Sequence, residues 1–119
     1  MQVHSKHVKK LLREALTTAY ERELHGELSQ LDRSFAEWRD GRISSGELSH
    51  RLHQYEVGPS RELFNRYNSG SPDMNVAYAI VVGLLERESL PSELLEALAA
   101  PLSFYQSLAA QNALETPGD

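Results

Sequence analysis

Glu47, His50 and His53 are of the types that metal chemistry needs, and with Glu56 a further step along they recur every three residues. Residues three or four apart on a helix share a face. A neutral imidazole beside a carboxylate suits a transition metal, and di-iron bundles use Glu-x-x-His pairs in this way. Such bundles draw on two pairs and two further Glu, whereas this sequence offers one pair. A metal-dependent hydrolase or redox protein built on Glu47, His50 and His53 would therefore need ligands from another helix or subunit. The plainer reading is a solvated helix surface, with His53, next to Leu52, as a hydrogen-bonded boundary residue.

Asp40-Gly41-Arg42-Ile43-Ser44-Ser45-Gly46-Glu47 follows the second half of an EF-hand calcium loop. Laid out in full, that loop would begin at Ala36 and put Trp38 where an oxygen ligand is required. A helix end at Gly41, Ile43 in the core and a capping box from Ser44 to Glu47 account for the same residues, so calcium is not expected. The hydroxyls and imidazoles of Ser44, Ser45, Ser60, His50, His53 and Tyr67 lie in no nucleophile elbow or Gly-rich phosphate loop. No catalytic set and no cofactor are expected. Trp38, Arg51, Tyr55, Arg61, Phe64, Arg66 and Tyr67 mix aromatic and Arg side chains, the types that dominate binding hot spots. They form a candidate interaction surface; the competing reading is core packing with Arg on the rim.

The elements that must carry these residues are helices. Apolar residues recur every three or four positions from Val8 through Leu12, Ala15 or Leu16, Ala19 or Tyr20, Leu24, Leu28, Leu31 and Phe35 to Trp38, without a proline. From Leu24 the spacing is 4, 3, 4, 3, a heptad seam whose phase does not continue backward, so the stripe slips between Tyr20 and Leu24. One long helix is expected, either bent near Gly26 or meeting different partners along its length, and ending at Asp40-Gly41. A short helix from about 45 to 57 stops at Gly58-Pro59, and a third, with Leu63, Phe64 and Tyr67, stops at the loop 68–72. Asp73 caps a fourth helix from Met74 to about Arg87. The run from Val76 to Leu85 is apolar nearly all round, as in a central core helix or an oligomer interface, and Ala79 and Gly83 leave a strip for close helix approach. A fifth helix from about Leu90 to Ala99 and a sixth from Pro101 to about Leu114 complete an all-α, compact bundle of about six helices. Residues 1–115 form one domain and 116–119 a frayed tail.

Composition excludes several classes. The 119 residues contain no Cys, which removes disulfide frameworks, thiolate catalysis and Cys-based metal sites. The N-terminal segment mixes Lys6, Lys9, Lys10 and Arg13 with Val8, Leu11 and Leu12, unlike a secretory signal, and no apolar run reaches the ~20 residues of a membrane span. A cytoplasmic protein without membrane association is expected. With 12 Lys and Arg against 17 Asp and Glu the net charge is −5, which disfavours nucleic acid. Only the basic turn from Lys6 to Arg13 offers a weaker alternative of that kind.

The stretch from Phe35 through Ala36-Glu37-Trp38-Arg39-Asp40-Gly41 and on to Tyr67 is similar to one in a family of small bacterial all-helical proteins without an assigned activity. The resemblance covers about the middle third of the chain. It implies a bacterial cytoplasmic origin and an all-α fold, and it brings no site residue. With no catalytic signature, an acidic surface and more apolar helix than a compact monomer readily covers, the leading expectation is a non-enzymatic interaction protein. It would be an accessory or inhibitory partner of another bacterial protein, self-associating through the helix at 76–85 or the long first helix.

Overall fold

In the computed structural model, residues 3–117 are described, and they are mostly helical, without strands. Helix α1 (Lys6–Arg39) runs 34 residues, begun by Ser5, whose Oγ accepts the Val8 N–H, and unbroken at Gly26. It ends as expected, with Asp40 as its cap and Gly41 at φ +76. Helix α2 (Ser45–Tyr55) starts with the expected cap, the Ser44 Oγ accepting the Glu47 N–H at 3.0 Å.

The expected stop at Gly58-Pro59 is corrected. The chain passes through a π-helical turn, Glu56–Ser60, straight into α3 (Arg61–Ser69). Pro59 has no N–H, and its ring would strike the carbonyl four residues back in a regular helix; the wider turn relieves that clash. The turn also resets the phase. In a regular helix Tyr55 and Tyr67 would stand about a third of a turn apart, and the wide turn takes back most of that, so both side chains reach the same neighbour, α1.

Helix α4 (Pro72–Val81) is capped by Ser71 and not by Asp73, with Pro72 at its first position; Asp73 instead takes His4 Nε2 at 2.6 Å. The loop is shorter than expected, because Ser69 still belongs to α3. The helix also ends about six residues early. Gly83 at φ +87 allows the backbone N–H groups of Gly83 and Leu84 to bond the carbonyls of Ile80 and Ala79, and the chain folds back to bury Leu85. Gly83 therefore lies outside the helix and makes no small-residue strip with Ala79. Helices α5 (Ser92–Ala97) and α6 (Ala99–Ala110) follow. Of the expected tail, Thr116 and Pro117 carry no regular structure, and 118–119 lie outside the described residues.

The core joins Val8, Leu12, Ala15 and Ala19 of α1 to Val76, Ala77, Ala79 and Ile80 of α4, with Leu85, Leu94, Leu98 and Leu102 closing it. Leu94, Leu98 and Val76 are fully buried, worth about 2 kcal/mol each. Much of the apolar centre of the expected helix 74–87 is thus spent inside the chain, in the manner of a central core helix.

All core residues of α1 lie in its first half. The second half buries only Glu23 and Ser34, and its neighbour is the continuous run α2–α3, antiparallel to it. The fold is the expected all-α bundle with a long first helix, drawn out along that helix. The molecule measures 53 × 32 × 25 Å with a radius of gyration of 17.1 Å, against about 13.5 Å for a compact chain of this size.

Candidate functional site

Five polar residues of α1, Glu23, Glu27, Gln30, Ser34 and Glu37, recur at 4, 3, 4, 3 and continue the strip that Val8 to Ala19 begin. The α2–α3 run packs on this polar line. At its near end Glu23, its side chain 6% exposed, accepts two hydrogen bonds from Arg66 Nη1, at 3.2 and 3.3 Å, and one from the Tyr67 hydroxyl at 2.9 Å. The Arg66 guanidinium lies 5.6 Å from the centre of the Tyr78 ring, and Tyr67 packs on Tyr20 with ring centres 5.2 Å apart. Burial, then the Glu23 charge and hydrogen bond, push the Tyr67 phenol far above its ordinary value; burial raises Tyr78 too, against the pull of Arg66. Both stay neutral donors, and Tyr78 holds the Glu115 carbonyl at 2.8 Å. These groups fasten α1, α3, α4 and the tail together.

Further along the line Arg51 donates to Ser34 Oγ at 3.1 Å, Glu37 at 3.5 Å and Glu47 at 3.2 Å. Beside it a cleft of about 230 Å³ is lined by Glu27, Gln30, Leu31, Tyr55 and Pro59. Glu27 there has its carboxyl raised above the ordinary range by partial burial and by the charges of Glu23 and Glu62.

The heptad seam Leu24, Leu28, Leu31, Phe35 and Trp38 stands roughly a quarter turn around α1 from that polar line. Both helices are right-handed and antiparallel, so side chains a similar angle past the contact line on α2–α3 emerge on the same side of the pair. With Leu48 and Leu63 buried on that line, Leu52 and Phe64 do so by helical spacing, and Val57 in the π turn is exposed as well. Arg66, nearly half a turn from Phe64, points the other way, onto Tyr78 of α4. Arg22 likewise reaches the Leu84 carbonyl and Glu86 on that far side. The opposite side is uncovered: Leu28 is 49% exposed, Trp38 41%, Leu52 37%, Val57 43% and Phe64 56%. Trp38 is held in place by Nε1–H donation to Ser45 Oγ at 3.0 Å and edge-to-face contact with Phe35.

The sequence-derived set thus divides. Trp38 and Phe64 lie on the open face and Arg61 is exposed on its flank; Arg51, Arg66 and Tyr67 are internal fasteners, and Tyr55 lines the cleft. Sequence reasoning passed over Leu28, Leu52 and Val57 as site residues. It also missed Glu23, whose signal was the second 4, 3, 4, 3 line of polar residues beside the apolar one.

Glu47, His50 and His53 are all exposed, and Glu47 is engaged by Arg51. Among the described residues no three His, Asp or Glu come together as a metal-binding group. The EF-hand-like stretch is the α1–α2 turn. Lys6, Lys9, Lys10 and Arg13 are exposed on α1, with Lys10 beside Glu14 and His7 beside Glu93. No helix among the described residues is long and apolar enough to cross a membrane. No protein-family model, curated protein or solved structure matches this chain.

Proposed function

We propose that the chain is a non-enzymatic interaction module of a bacterial cytoplasm, and that it acts through the open face of α1 and α2–α3. One observation carries this reading: five large apolar side chains, Leu28, Trp38, Leu52, Val57 and Phe64, are each more than a third exposed, and all five belong to the α1/α2–α3 layer. Scattered exposed apolar residues are ordinary, whereas a contiguous patch marks a contact surface. At about 200 Å² per large side chain, these five leave roughly 450 Å² open, within the range of functional patches.

The layer is rigid enough to serve. Glu23 with Arg66 and Tyr67 fixes one end, Arg51 with Ser34 and Glu37 the middle, and Trp38 with Ser45 the other end. A preformed face loses little side-chain freedom on binding, which favours affinity. Two antiparallel helices presenting an apolar seam suit a helical protein partner.

The test is capture from the native host with the tagged chain at natural expression, comparing the wild type with Leu28→Glu, Phe64→Glu and, on α6, Phe104→Ser. The proposal expects a co-purifying protein, or the chain's own untagged copy, that is lost with the first two substitutions and kept with the third. Retention by all three variants would overturn it.

A further inference from the structure

We infer that the occupant of the open face is a second copy of this chain, packed face to face about a two-fold axis so that two α1/α2–α3 pairs form a four-helix bundle. This deepens the interaction reading and rests on it.

Width is the first reason. Residues that receive one helix converge on the groove between two others. Here Leu28 on α1 and Val57 between α2 and α3 turn outward from that groove, so the apolar surface is two helices wide. A layer of the same width covers it, and a two-helix layer is what the chain itself presents.

The seam is the second reason. Leu24 to Trp38 keeps a 4, 3, 4, 3 spacing over about 21 Å, the pattern of long helices packed side by side. Within the chain α2–α3 meets α1 on the polar line instead. Isologous pairing gives each seam an apolar helix to face, in the manner of four-helix bundles.

Area and charge agree. A standard interface takes about 800 Å² from each partner, of which about 65% is apolar in homodimers, or roughly 520 Å². The five exposed side chains supply roughly 450 Å², and half-buried Leu24, Leu31 and Phe35 add to it. By helical spacing the charged residues flanking the seam are Glu21, Asp32 and Arg39 on α1 and Glu56 and Arg61 on α2–α3, three acids and two bases, within one charge of neutral. The whole chain is at −5, so two copies meet through a surface that spares them most of their mutual repulsion.

Sedimentation equilibrium of the full untagged chain, from about 1 μM to about 200 μM, tests the inference. Expected is a reversible dimer at twice the chain mass of 13.4 kDa, weakened at least about tenfold by Leu28→Glu and by Phe64→Glu and unchanged by Phe104→Ser. Helical circular dichroism checks that each variant folds. Because the chain has no Cys, spin labels on Phe64→Cys and on Ser92→Cys give a second readout if a glutamate variant unfolds. Strong intermolecular coupling is expected at position 64 and weak coupling at 92. A monomer at every concentration, a dimer indifferent to both glutamates, or stronger coupling at 92 than at 64 overturns the second-copy assignment. Such a result would leave the capture experiment, scored on bound proteins of any mass, to judge the interaction reading by itself.

Discussion

Replacing Arg66 with Met keeps most of the side chain's volume and removes a cation bonded to the buried Glu23 carboxylate. Stripping a partner from a fully buried ion pair costs about 3–5 kcal/mol. Here Glu23 is 6% exposed but Arg66 is 40% exposed, so water screens the pair and about half of that cost applies, roughly 2 kcal/mol. The Tyr67 hydroxyl still donates at 2.9 Å, which keeps the loss from growing. At about 4 °C per kcal/mol for a domain of this length, Tm should fall by about 8 °C. Urea unfolding followed by circular dichroism measures the same loss, with an unchanged m-value if the denatured state is unaffected. The triple substitution Glu23→Leu, Arg66→Met and Tyr67→Phe removes donors and acceptors together and should recover most of the stability, because no buried charge is left alone. A loss under about 0.5 kcal/mol for Arg66→Met would show that this network does not fasten α1 to α3.

Other consequences follow from the same geometry. Gly26 is helical in open space, so Gly26→Ala should raise stability by about 0.5–1 kcal/mol, while Gly83→Ala, forced to φ +87, should lower it by about 1–2 kcal/mol in the same urea assay. Leu94→Ala should cost about 3 kcal/mol, since its side chain is fully buried. Glu27 has a carboxyl raised on folding, so its contribution is favourable below the unfolded pKa of about 4.3 and is lost as pH rises through the higher folded value. Glu27→Gln should therefore stabilise the chain at pH 7 relative to wild type, with the advantage shrinking toward pH 4 in a pH series of unfolding curves; an advantage that grows on acidification would contradict the assigned sign.

Periodicity made the long first helix, its end at Gly41 and the Ser44 cap readable from sequence, because each depends on neighbours within one helical turn. The phase slip between Tyr20 and Leu24 was readable as well, and it is where α1 passes from the core to the α2–α3 layer. Pro59 misled because a proline normally ends a helix; its accommodation in a π turn follows from packing Tyr55 and Tyr67 on one neighbour, which is a tertiary demand. Gly83 ended α4 early against an apolar run that favoured continuation, since folding back buries Leu85. The aromatic and Arg cluster was visible, but residues close in sequence diverge around a helix, so Phe64 faces solvent while Arg66 and Tyr67 turn to Glu23 of α1. Leu28, Leu52 and Val57 look like core residues in sequence, and only the placement of α4 on the far side leaves them uncovered.

Photo-cross-linking in living cells tests the open face most directly, with a benzophenone side chain placed at position 28 or 64 and, for comparison, at 104. Protein adducts at 28 and 64, with little at 104, are expected. Adducts at 104 alone, or none at 28 and 64, would contradict an interaction through the α1/α2–α3 face.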